Sequence, residues 1–252
     1  MRAIFRRGVF WIYLLGPWAV LLPAQQIPPG TALPVMLQSS LDARHLKPGQ
    51  IIKGKIKQDI PLPDGRTIPH GSRVTGHVIR ATRATGSSPS RLGVKFDRLT
   101  IKRRQIAIVT HLRALASMTE VFEAKLPTNS VDDYGTTIAD WNTIQVGGAG
   151  AFRGSGDVIA DGQIVGRTTD YGAVTAKLIA APARGCPSDG GREQALWIFS
   201  PSVCGLYGFP DLKIVHWGRT APVGEIAFES GRDVDIRGGS GWLLQVEAAP
   251  QP

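Results

Sequence analysis

The sequence predicts an all-β fold: a barrel-like or sandwich β domain in the N-terminal half, followed by a β-rich C-terminal region stapled by one disulfide. Three observations predict it. The 30 glycines and 18 prolines among 252 residues punctuate short runs in which apolar and polar residues alternate. No long stretch keeps the apolar period of about 3.6 residues that marks an amphipathic helix. One turn pattern recurs in front of alternating runs, as in Ile68-Pro69-His70-Gly71-Ser72-Arg73-Val74.

The first element is a targeting pattern. Arg2, Arg6 and Arg7 precede an apolar run from Gly8 to Leu22 that is short for a bilayer span, and Leu22-Pro23-Ala24 puts a small residue before a cut. Residues 1–24 therefore read as a secretory signal peptide cleaved after Ala24, with a retained membrane anchor as the rival. Either way the body is exported, to the periplasm, the outer envelope or the medium.

Three segments follow: a basic β domain over residues 25–115, a linker over 116–140, and a β-rich domain over 141–252. Alternation places strands at Val35–Leu37, Ile51–Ile56, Arg73–Ile79, Gly93–Ile101 and Gln105–Leu112 in the first. In the last it places them at Ile144–Val146, Asp157–Val165, Ala173–Ile179, Leu212–His216, Gly224–Phe228 and Trp242–Val246. Pro63-Asp64-Gly65-Arg66 reads as a turn, Gly86–Ser90 as a flexible tip, and Lys102-Arg103-Arg104 as a reversal between strands. REQALWIF, Arg192–Phe199, suits a short helix or a strand.

The recurring turn has three copies: Ile27-Pro28-Pro29-Gly30-Thr31, Ile68-Pro69-His70-Gly71-Ser72 and Ile236-Arg237-Gly238-Gly239-Ser240. Each is an apolar residue, two turn residues, a glycine and a small hydroxyl. Glycine permits the positive φ of a type II turn, and Ser or Thr bonds back to the turn backbone. Three unevenly spaced copies do not make a solenoid. They read as a device that opens strands within a sheet.

IPPGTALPVMLQSSLDARHLKPGQIIKGKIKQDIPLPDGRTIPHGSRVTGHVIRA, followed by RLGVKFDRLTIKRRQIAI, resembles the C-terminal β-barrel domain of the VirB10 and TrbI family of type IV secretion proteins. The order of motifs is shared: an opening PGT, a central PGQ, a G-x-x-I-P-x-G-S-x-V-x-G core and an arginine-led strand. The likeness covers residues 26–112, about a third of the chain. Channel members of that family also carry an inner-membrane helix, a long proline-rich linker and a helical antenna, none of which is legible here. What the resemblance implies is an envelope β-barrel-like domain. A component of a secretion-channel assembly is the lesser implication.

Charge divides the chain. From Gln25 to Leu112 fifteen Lys or Arg face four Asp, whereas from Arg113 onward eleven bases face sixteen acids. Lys53, Lys55 and Lys57 alternate, so a strand puts all three on one face, and Lys102, Arg103 and Arg104 lie at a neighbouring turn. Three readings stand. The lysines are a solvated face guarding an edge strand, a site for acidic polysaccharide, lipid headgroups or stray nucleic acid, or a surface on which the acidic half packs. Specific nucleic-acid recognition is not expected, because the basic strands lack interleaved aromatics.

Cys186 and Cys204 are the two cysteines of an exported chain, which predicts one disulfide; closing such a loop contributes roughly 3 kcal/mol. Tyr207, between glycines just after Cys204, is the candidate exposed aromatic. Catalytic patterns are missing: Ser240 in Gly238-Gly239-Ser240-Gly241 is not a nucleophile elbow, Gly147-Gly148-Ala149-Gly150 lacks a P-loop lysine, and no metal or cofactor set is legible. His70, His77 and His111 read as surface or half-buried histidines. Asp132, Asp133, Asp140, Asp157, Glu193 and Glu225 hold any carboxylate pair that glycoside hydrolysis would need. The expectation is an exported non-catalytic envelope protein, structural or ligand-binding, whose basic β domain meets anionic polysaccharide or a membrane surface. The alternative is a secreted glycan-active hydrolase. No protein partner is indicated.

Overall fold

The structure is a computed structural model describing residues 26–124, 141–144, 146, 150–153, 157–160, 163–167, 196–199, 203–215 and 223–248. The signal peptide, Cys186 and the strand expected at Ala173–Ile179 lie outside them. In chain order the strands are β1 (Ala32–Leu37), β2 (Leu41–Asp42), β3 (Ile51–Ile56), β4 (Ile60–Pro61), β5 (Thr67–Ile68), β6 (Arg73–Thr82), β7 (Ser90–Ile101), β8 (Arg104–Ala107) and β9 (Thr110–Ala116). The helix α1 (Met118–Glu123) follows. Then come β10 (Trp141–Ile144), β11 (Gly150–Arg153), β12 (Asp157–Ala160), β13 (Gln163–Arg167), β14 (Gly205–Tyr207), β15 (Leu212–Val215), β16 (Glu225–Ser230), β17 (Asp235–Ile236) and β18 (Gly241–Val246).

Ten strands form one sheet in the order β14-β9-β18-β1-β3-β6-β7-β16-β15, with β8 paired to β7. All pairings are antiparallel except β14 with β9. The sheet curls until β7 meets the start of β9: Ile108 N donates to Asp97 O at 3.0 Å, and Thr110 Oγ1 to Phe96 O at 3.0 Å. The result is a nearly closed barrel. β10–β13 form a separate four-stranded sheet, so the single strand expected over Asp157–Val165 is a hairpin of β12 and β13. Gln105–Leu112 likewise divides into β8 and β9.

Alternation fills the barrel. On β3, Ile52, Gly54 and Ile56 are buried while Ile51, Lys53 and Lys55 face water. Around the inside stand Leu33, Val35, Val74, Val94 and Leu244. Trp242 closes the centre, its ring 5.3 Å from Phe96 and 5.7 Å from Phe228, both edge-on. Edge-to-face pairs of this kind add about 0.5–1.5 kcal/mol beyond the area they bury.

The turn device proves to be architecture, and it has four copies among the described residues. Gly30, Gly49, Gly71 and Gly239 all have φ between +79° and +91°. In each, the residue after glycine returns its N–H to the carbonyl three back: Thr31 to Pro28, Gln50 to Lys47, Ser72 to Pro69, Ser240 to Arg237. The glycine N–H donates outward to a neighbouring strand. Gly30 bonds Val246 O and Gly239 bonds Leu37 O, so β1 and β18 cap each other's ends. Gly49 bonds Val78 O and Gly71 bonds Ile56 O, which does the same for β3 and β6.

The sheet runs across the boundary drawn between residues 115 and 141. β18 lies between β9 and β1, and β16 pairs with β7. Without β18, β1 and β9 have no common neighbour. The outer face of β18, β1 and β9 is covered in turn by a second core, in which α1 and β14 join residues 196–199. Those four residues make a tight turn, with Phe199 N bonded to Leu196 O at 3.0 Å and Trp197 at φ 59°, where the second half of the helix or strand expected over Arg192–Phe199 would stand; residues 192–195 lie outside the described residues. All four are buried in the second core, at 7% exposure or less, and the positive φ of Trp197 interrupts any regular helix or strand there.

Candidate anion-binding face

Residues 196–199 and α1 cover one side of the barrel. Among the described residues, the outward face of β3, β6 and β7 is left open, and register decides what stands on it. Lys55 lies opposite Arg73, and Arg73 opposite Thr100; one row along, Lys53 lies opposite Thr75, and Thr75 opposite Arg98. Paired residues share a face about 5 Å apart. Four cations and two hydroxyls thus form a two-by-three grid.

A bulge makes this possible. The register shift at Thr75/Gly76 leaves Asp97 as the extra residue of β7, and the added residue changes which parity faces out. Lys95 points outward before it, and Arg98 and Thr100 after it. Asp97 turns its carboxylate to His77 Nδ1 at 3.0 Å. Among the described residues, Lys53, Lys55, Arg73 and Arg98 make no ion pair.

The expected cations divide. Lys53 and Lys55 are exposed and belong to the grid. Lys57 does not: it follows the end of β3, half-buried, with Nζ 5.9 Å from the centre of the Trp197 ring. Lys102 and Arg103 form the turn between β7 and β8, closed by the pair Ile101 and Arg104, just beyond the Lys55–Arg73–Thr100 row. All three basic residues of that turn are exposed. Arg73 and Arg98 were missed by sequence reasoning. The alternation of Arg73, Thr75 and His77 was a usable signal for the first, whereas the bulge hides the second.

Edge protection does not account for the lysines, because β3 is bonded on both sides, to β1 and β6. Tyr207 is a correction too. It is 5% exposed, its hydroxyl donates to Cys204 O at 2.8 Å, and burial pushes its pKa up. β14 pairs with β9 and so turns Tyr207 into the second core instead of displaying it. Cys204 is buried beside it.

The three histidines stand apart. His77 has Asp97, His111 Nδ1 lies 3.1 Å from Glu247 Oε1, and His70 N donates to Asp59 Oδ1 at 2.6 Å. Of the carboxylates, Glu225 is held by Arg80 through two contacts, at 2.9 and 3.1 Å. Asp132, Asp133, Asp140 and Glu193 lie outside the described residues. No family model matches the chain, and no curated protein matches it significantly.

Proposed function

We propose that this chain is an exported, non-catalytic envelope protein that lays the β3–β6–β7 face of its barrel on acidic polysaccharide or an anionic membrane surface. One observation carries the reading: Lys55 and Arg73 stand directly opposite each other with no carboxylate between them among the described residues. Like charges in that position repel, and an external polyanion relieves the repulsion. Thr75 and Thr100 add hydroxyls able to donate to the same anion. The likeness of residues 26–112 to the VirB10 and TrbI barrel supports an envelope setting. In that setting we also propose a Cys186–Cys204 disulfide and a mature chain beginning at Gln25, which intact mass spectrometry and non-reducing peptide mapping test.

The binding test uses the mature chain with polygalacturonate and, separately, with phosphatidylglycerol vesicles. Binding should weaken steeply with salt, since charges at a surface are screened within about 8 Å at physiological ionic strength. Lys55→Glu combined with Arg73→Glu should abolish it while leaving the fold intact, as exposed charges usually contribute within about half a kcal/mol. Undiminished binding by that variant, or no binding by the wild type, sinks the reading. Release of reducing ends from the polymer would favour the hydrolase instead.

A further inference from the structure

The basic face is not polar throughout. Register continues it by one row: Ile51 lies opposite His77, and His77 opposite Lys95. Ile51 is on the same side of β3 as Lys53 and Lys55, and it is 60% exposed. Alternate residues of a strand stand about 7 Å apart, so its side chain is a direct neighbour of Lys53. Ile79, two residues beyond His77, is left over by the register shift between Val78 and Arg80; it is half-buried and belongs to neither core. The turn that leads into β3 adds exposed Lys47 and Pro48. The carboxylates at this end are engaged. Asp97 is held by His77 Nδ1 at 3.0 Å, and Glu225, opposite Lys95 on β16, is held by Arg80. One end of the cation grid therefore carries apolar side chains open to water.

A single exposed isoleucine is ordinary. One set in a field of cations restricts the partner. An acidic polysaccharide offers carboxylates in water and no apolar phase, and the C–H face of a sugar ring is best met by a flat aromatic ring. The only Phe, Tyr or Trp of β3, β6 and β7 is Phe96, which points into the barrel core. An anionic bilayer differs: its phosphates lie at the surface with hydrocarbon just beneath, so one partner satisfies both the cations and the apolar side chain beside them. Lys and Arg hold their charges at headgroup level while their stems cover apolar surface. We infer that the occupant of the β3–β6–β7 face is a bilayer containing anionic phospholipid, with Ile51 entering its interface. This rests on the anionic-face reading above and names its partner.

The test compares binding of the mature chain to vesicles of equal parts phosphatidylglycerol and phosphatidylcholine, to vesicles of phosphatidylcholine alone, and to polygalacturonate. Wild type should bind the mixed vesicles and leave the neutral ones. Ile51→Thr keeps a β-branched residue at an exposed strand position, so it should melt like wild type. It should bind the mixed vesicles about fivefold more weakly, the effect of withdrawing roughly one or two buried methyl groups, while any binding of polygalacturonate stays unchanged. Ile51→Trp should show fluorescence that brominated acyl chains quench beyond any quenching of wild type. Binding of polygalacturonate without the mixed vesicles overturns the inference and leaves the anionic-face reading standing, whereas binding of neither overturns both. Equal binding to neutral vesicles, unchanged vesicle binding in Ile51→Thr, equal loss of polygalacturonate binding in that variant, or no added quenching in Ile51→Trp also overturns the inference.

Discussion

Gly71 is held at φ +79° with nothing within 4 Å of where a Cβ would stand. Gly76 has no positive φ, but a Cβ there would collide with the Lys95 carbonyl across the bulge. The two glycines therefore serve different physics, and thermal melts should separate them. Gly71→Val should lower stability by about 1–3 kcal/mol, the cost of a strained backbone alone. Gly76→Val should cost more or prevent folding, because β6 and β7 must part. Asp42 carries a second prediction. Arg44 makes a forked pair with it and, aided by the Arg44 N–H and the His45 ring, holds its carboxyl well below the ordinary 3.8. A depressed carboxylate contributes stability above its unfolded value and loses it as pH falls through the folded one. Asp42→Asn should thus melt lower than wild type at pH 7. The gap should close as the pH is taken down below about 4.

The short helix α1 shows what one residue does for an element. Ser117 caps it, its Oγ accepting Glu120 N, in a Ser-x-x-Glu pattern that is plain in Ser117-Met118-Thr119-Glu120. Composition had placed these residues in a linker, because six residues are too few to show a period. Ser117→Ala should cost about 1 kcal/mol by denaturant titration. Lys57 makes the opposite point. Alternation groups it with Lys53 and Lys55, but β3 ends at Ile56 and the chain beyond it turns Nζ toward Trp197. A cation over an indole contributes about 0.5–1 kcal/mol at an exposed site. Lys57→Gln should therefore lose a little stability and leave polyanion binding and its salt dependence unchanged. Equal loss of binding in Lys57→Gln and Lys55→Gln would mean that the cations act without regard to register.

At the scale of the molecule, closure is a long-range event. β18 lies between β1 and β9, all six of its residues are buried, and Trp242 fills the barrel centre. A fragment of residues 26–116 has the basic strands without that staple. It should show no dispersed amide spectrum, whereas the mature chain should. A well-dispersed fragment would mean that the N-terminal half closes without β18. Trp242→Ala, which empties the centre, should cost about 3–5 kcal/mol.

Period, turn chemistry and charge are local, so the sequence by itself determined the mostly β character of the described residues, the inward and outward residues of β3, and the strand-opening turns. Lys53 and Lys55 were legible for the same reason: each residue's face follows from its immediate neighbours. Only the tertiary structure decided that β3 is central, that the last strand completes the first domain's barrel, and that Tyr207 is buried. These outcomes depend on which strands pair across two hundred residues, and alternation carries no address. The grid of Lys53, Lys55, Arg73 and Arg98 belongs to both. Its cations are written in the sequence, but their adjacency arises from the register of three strands and from a bulge that shifts the parity of β7.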